Sequence, residues 1–225
     1  MQNAAESLEN IRSRIERAHQ RFGPPPDSVE LVAVSKTFDA AAIRPFLDAG
    51  QRVFGENRVQ EAKEKWPELR ASYDGIELHL IGPLQTNKAR EAVALFDVIQ
   101  TVDRDKLAGI LAEEMKRAGR RLPVFVQVNI GQEEQKAGIA PADAAAFVGR
   151  CRDLHGLDVV GLMCIPPEAD PPGPYFAHLA SLARDAGVEK LSMGMSGDFE
   201  TAIAMGATHV RVGSALFGAR DVVAP

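Results

Sequence analysis

Short β-rich runs and helical stretches take turns along this chain eight times, and no other feature constrains its fold so strongly. The runs fall at residues 31–34, 52–54, 77–81, 97–102, 124–130, 157–165, 190–193 and 209–212. Between them, segments such as 85–95, 106–117, 141–151 and 175–186 place apolar residues at helical spacing, and several close at a glycine. A strand followed by a helix, repeated, calls for parallel strands, because a parallel neighbour is reached only through a crossover. Eight such units in 225 residues fit a closed (β/α)8 barrel at its small end, whereas open doubly wound sheets use fewer strands. An additional helix over 4–22, stopped by Gly23-Pro24-Pro25-Pro26, precedes the first run. The expectation is therefore an α/β chain forming one domain over 1–225, a single TIM barrel with an extra N-terminal helix.

Composition removes several function classes. The net charge of −5 comes from acids and bases interspersed along the chain, with no basic face for nucleic acid and no polybasic membrane segment. The first twenty residues hold no apolar signal core, and no later run approaches the ~20 residues of a membrane span. A cytoplasmic location is expected. Cys151 and Cys164 lack C-x-x-C spacing and read as two buried thiols in a reducing compartment. The five histidines are scattered without H-x-H or H-E-x-x-H spacing, so no metal site is expected. Neither a G-x-G-x-x-G turn nor a P-loop opens any helix.

In a barrel of this type, chemistry gathers where strands end. Lys36 closes the apolar run Leu31-Val32-Ala33-Val34-Ser35. Such a lysine either runs its stem over apolar surface with its head in water, or sits desolvated as a neutral, nucleophilic amine able to form a Schiff base with an aldehyde. Asn57 follows the second run and either donates to a ligand or caps the next helix. His79 lies within the third run, as a satisfied core histidine or a ligand contact. The loops after the seventh and eighth runs carry Ser196-Gly197 and Gly213-Ser214, small residues with hydroxyls at the usual phosphate position of such barrels. The plainer readings are Ser196 or Asp198 as helix caps and Gly213 as a turn residue. Arg211, between Val210 and Val212, points inward by alternation and needs an acceptor, either an internal carboxylate or a heteroaromatic nitrogen.

Taken together, these residues resemble the YggS/PROSC family of pyridoxal phosphate homeostasis proteins, related in fold to the barrel domain of alanine racemase. The matching segments are 31–37, 54–57, 79–85 with Asn87-Lys88, 127–130, 161–163, 191–196 and 210–220. The resemblance implies pyridoxal 5′-phosphate held as an internal aldimine on Lys36. It implies Arg211 near the pyridine nitrogen, Ser196, Gly213 and Ser214 around the phosphate, and Asn57 and His79 beside them. The chain departs from the family pattern at Arg58, where an aromatic is frequent, at Leu78 and Leu80 around His79, and at Phe38 in place of a lysine.

An arginine opposite the pyridine nitrogen keeps that nitrogen unprotonated and blunts carbanion chemistry. Tyr73 and Tyr175, the only tyrosines, are placed away from the rim, and the chain leaves no residues for a second domain. The expected function is accordingly a carrier or buffer of the cofactor with no catalytic residues. It is expected to be a monomer that exchanges the cofactor with dependent apoenzymes. The alternatives are a racemase-like enzyme using the same lysine, or a Schiff-base aldolase-like barrel.

Overall fold

The structure, a computed structural model, describes residues 3–22 and 29–218. The expected stop at Gly23-Pro24-Pro25-Pro26 and the terminal Ala219-Arg220 of the last matched segment lie outside them. Eight parallel strands close in sequence order: β1 (Glu30–Val34), β2 (Val53–Glu56), β3 (Glu77–Leu80), β4 (Val98–Val102), β5 (Pro123–Val128), β6 (Asp158–Cys164), β7 (Lys190–Ser192) and β8 (His209–Val212). The ring is completed by pairing of β8 with β1, Leu31 opposite Val210 and Val32 opposite Arg211. The expected (β/α)8 TIM barrel is what forms.

The helices are α1 (Ala4–Phe22), α2 (Ala40–Asp48), α3 (Val59–Ser72), α4 (Ala89–Leu95), α5 (Asp105–Ala118), α6 (Ala144–Asp153), α7 (Gly173–Asp185), α8 (Phe199–Ala204) and α9 (Ser214–Phe217). The last two are short, and α1 packs against both and against α2, filling the outer layer there. Its buried stripe, Leu8, Ile11, Ile15 and Ala18, has the spacing of one helix face. The extra N-terminal helix is thus part of the ring's cover. Two expected helices open differently: 85–95 begins with a 3-10 turn at Thr86–Lys88, and 141–151 with one at Pro141–Asp143. The second strand runs two residues further than its apolar composition indicates, since Glu56 is fully buried within it.

Alternation sends one face of each strand to the helices and the other into the lumen. Outward residues such as Leu31, Ala33, Phe54, Leu78, Leu80, Val124 and Val126 belong to the large core beneath the helices. Val98, Phe125 and Met163 form a separate apolar cluster inside the barrel. The rest of the lumen is unusually polar. Glu30, Glu77, Lys190 and His209 begin their strands and so gather at the amino-terminal floor, where the His209 ring lies edge-on to Phe125 with centroids 5.2 Å apart.

Burial, with His79 and Lys190 nearby, holds the His209 imidazole down at about 3. An unfolded histidine titrates near 6.5, so the unfolded chain takes up a proton over that interval and the folded chain does not. His209 therefore contributes stability above the unfolded value that is lost as pH falls from 6.5 towards 3. The loss runs at up to about 1.4 kcal/mol per pH unit. We expect His209→Asn to give a shallower decline of unfolding free energy over this range than the parent chain, measured by denaturant titration at successive pH values.

Candidate functional site

Lys36 lies in the turn directly after β1, half-buried at the carboxyl-terminal mouth of the barrel. The Phe38 amide donates to the Ser35 carbonyl at 3.2 Å, closing a four-residue turn around it. Thr37, the third residue of that turn, has φ 71°, a left-handed conformation unfavourable for a β-branched side chain. Such strain persists only where surrounding contacts fix it.

The fixing contacts come from α3. The Lys65 ammonium donates to the Ser35 carbonyl at 2.9 Å and the Phe38 carbonyl at 2.8 Å, gripping both ends of the turn. The same ammonium reaches Glu61 at 2.9 Å and the fully buried Glu56 at 2.9 Å. Glu61 also accepts from the Thr37 amide, the strained residue itself. Glu56 Oε1 accepts from the Ser35 hydroxyl at 2.6 Å and the Trp66 indole at 3.1 Å. Burial pushes the Glu56 carboxyl above its ordinary range, while Lys65, Ser35 and Trp66 pull it back. A buried ion pair thus sits under the turn that presents Lys36.

Across the mouth, the loops after β7 and β8 meet as their composition indicates. The Ser196 hydroxyl accepts from the Gly213 amide at 3.2 Å and the Ala215 amide at 3.3 Å, so two backbone donors converge on one point. Gly213 and Ser214 are the entry and first residue of α9. Ser196 does not cap α8, since its hydroxyl meets the amides at the start of α9; Asp198 takes the position before α8, its carboxylate accepting from the Met195 amide at 2.6 Å.

Asn57 is half-buried between β2 and α3, and Arg58, not Asn57, occupies the cap position of α3. Its backbone is approached so closely by Gly82 that a Cβ on that glycine would stand 2.3 Å from the Asn57 carbonyl oxygen. Cavities of about 560 Å³, lined by Asn57, Arg58 and Gln85, and about 610 Å³, lined by Met195, Gly197 and Asp198, flank the mouth.

Arg211 is buried inside the barrel. It donates to the Ser192 hydroxyl and to the Cys164 carbonyl, each at 2.7 Å. Among the described residues no carboxylate lies within ion-pair distance of it, so the internal-carboxylate reading is not what forms. Burial draws its pKa below the ordinary guanidinium value. His79 is also enclosed, with Gln100 on Nδ1 at 2.7 Å and Glu77 on Nε2 at 2.6 Å. Both ring nitrogens are taken by the protein, so His79 stands apart from the other sequence candidates as a core histidine. Cys151 and Cys164 are free and buried, and burial raises each thiol to about 12.

The alanine racemase N-terminal domain family matches residues 7–221. Across its full length the chain is 44% identical to the pyridoxal phosphate homeostasis protein of Pseudomonas aeruginosa, covering 99% of that protein. The chain belongs to this family. The Escherichia coli pyridoxal phosphate homeostasis protein is 40% identical, with 98% of each chain covered. Among solved structures, PipY of Synechococcus elongatus with pyridoxal phosphate bound superposes at TM-score 0.83 and 40% identity, over 96% of this chain and 100% of PipY. PipY without that ligand gives the same TM-score at 42% identity, covering 95% of this chain and 99% of PipY.

Sequence reasoning passed over Lys65, Glu56 and Glu61, whose signal was only a charged residue closing β2 and helical spacing in α3. Removing Lys65 leaves Glu56 as an unpaired buried acid, a change that typically costs about 3–5 kcal/mol. We expect Lys65→Met to destabilise the fold by that order, and Glu56→Gln to restore part of the loss in the double variant. Denaturant unfolding of the parent, both single variants and the double variant checks this.

Proposed function

We propose that this chain binds pyridoxal 5′-phosphate through Lys36 and serves pyridoxal phosphate homeostasis as a carrier or buffer, the whole of 1–225 acting as one binding unit. The bound group would supply an aldehyde, with which the neutral form of a lysine amine condenses reversibly. The observation that carries the reading is the placement of three unlike groups around one barrel mouth. Lys36 stands on a fastened turn, the Gly213 and Ala215 amides converge at Ser196, and Arg211 is met by neutral acceptors, with no carboxylate at ion-pair distance among the described residues. These fit an aldehyde, a phosphate and a pyridine nitrogen respectively. Ser214 and Asn57 stand beside them as further donors. PipY, whose structure has been solved with pyridoxal phosphate bound, and the two homeostasis proteins lend the reading its second support.

Binding without turnover is the form of this function we favour. A guanidinium beside the pyridine nitrogen disfavours protonation there, because two adjacent cations repel, and the ring is then a weak electron sink. The tyrosine hydroxyls are engaged elsewhere: Tyr73 on Asp48 and Tyr175 on Asp170, each at 2.7 Å. Both phenols are pushed above their ordinary range, first by those hydrogen bonds, which suits neither to moving a proton at neutral pH. The half-buried position of Lys36 at the mouth suits exchange with an acceptor apoenzyme.

The chain mixed with pyridoxal phosphate and reduced with borohydride should gain the mass of one reduced adduct, located on Lys36. Lys36→Ala should gain none and stay colourless. Rapid exchange of amino-acid α-hydrogens with deuterated solvent by the loaded chain would overturn the carrier reading in favour of a racemase.

A further inference from the structure

Inside the barrel, the bonds around Arg211 and His79 are parts of one chain. Arg211 Nη1 donates to Ser192 Oγ at 2.7 Å, Ser192 Oγ donates to Gln100 Oε1 at 2.5 Å, Gln100 Nε2 lies 2.7 Å from His79 Nδ1, and His79 Nε2 lies 2.6 Å from Glu77 Oε1. The Ser192 to Gln100 link joins β7 to β4, so the chain crosses the lumen from wall to wall. It begins at a buried cation and ends at a carboxylate that is 50% exposed.

Its direction is dictated by its first member. A guanidinium has donors only, so Ser192 must accept from it and pass its single proton on to the Gln100 carbonyl oxygen. The Gln100 amide nitrogen then faces His79, which must offer a bare Nδ1 and carry its proton on Nε2, directed at Glu77. Turned the other way, a neutral His79 would set a bare Nε2 against a carboxylate, and the Ser192 proton would have no acceptor among the described residues. Hydrogen bonding to His79 draws the Glu77 carboxyl below its ordinary range, as an ionised chain end requires.

We propose that Ser192, Gln100 and His79 are positioning residues that orient the Arg211 guanidinium and relay the negative charge of Glu77 to it across the barrel, setting how Arg211 meets the ring nitrogen of bound pyridoxal phosphate. This rests on the binding function above. Each dipole in the chain points the same way, and aligned bonds polarise one another in a low-dielectric interior. Arg211 is thereby held by a carboxylate that never touches it, which leaves the lumen beside the guanidinium clear of a competing anion. Cys164 supplies the second fixed acceptor through its backbone, so rotation of the guanidinium is restrained from two strands.

Two variants test the relay. Gln100→Met cuts both middle links at similar volume, and Glu77→Gln removes the charge at the half-exposed far end, where folding is little affected. We expect Gln100→Met to weaken pyridoxal phosphate binding about tenfold, the equivalent of one ordinary hydrogen bond. We expect both variants to shift the visible absorption of the bound cofactor in the same direction, Glu77→Gln by less. In the chain without ligand, ring nitrogen-15 shifts should show His79 protonated on Nε2 alone. Unchanged affinity and absorption in both variants, beside normal binding by the parent, would sink the relay and leave the binding function standing; should Gln100→Met not fold, Glu77→Gln decides alone. A parent chain that takes up no cofactor would overturn the binding function instead, while a His79 proton on Nδ1 would independently refute the direction of the chain.

Discussion

A guanidinium buried inside a closed parallel barrel has to be satisfied mainly by what the strands carry inward, because little solvent reaches it. Arg211 meets that constraint without an adjacent carboxylate: its partners are a hydroxyl and a carbonyl, and the balancing charge stands at the end of a hydrogen-bonded series on the barrel floor. Much of the lumen follows from this. Gln100 sits fully buried at the centre of β4, Ser192 ends the shortest strand of the sheet, and His79 sits buried where an aliphatic residue would pack as well. Each would be an unexplained polar burial alone, and an unpaired buried polar group is costly. As one series they account for one another.

The turn bearing Lys36 answers to a different layer. Its strained Thr37 and both flanking carbonyls are held from the helix side by Lys65, Glu61 and Glu56, groups that face away from the lumen. Buried ion pairs give little net stability compared with apolar packing, so the arrangement is better understood as fixing a conformation than as strengthening the fold. A turn of this shape without such contacts would relax, and the lysine would leave the mouth.

The barrel was legible because its evidence is local: each strand announces itself by a few consecutive apolar residues, and the order of elements dictates parallel pairing. Lys36, Ser196, Gly213 and Arg211 could be singled out for the same reason, since each lies within such a run or a few residues after it. Gln100 could not be joined to Ser192, because the two are 92 residues apart and meet only when the barrel closes. Lys65 gave no more signal than any helical lysine, its acceptors being backbone carbonyls about thirty residues earlier. The same limit explains the reading of Arg211, whose need for an acceptor was plain while the acceptor's identity depended on neighbouring strands.

Two supports of opposite kind therefore meet at one mouth. The arginine is anchored through side chains that cross the interior, and the lysine through a helix packed on the exterior, with β1 and β2 between them. A perturbation of α3 acts first on the amine, by releasing a strained backbone, and a perturbation of the lumen acts first on the charge that faces it. Because the two networks share no residue, the site can alter how firmly it holds the aldehyde end of a ligand independently of how it meets the ring. In the carrier function proposed for this chain, that separation would let the rate of release change without loss of recognition.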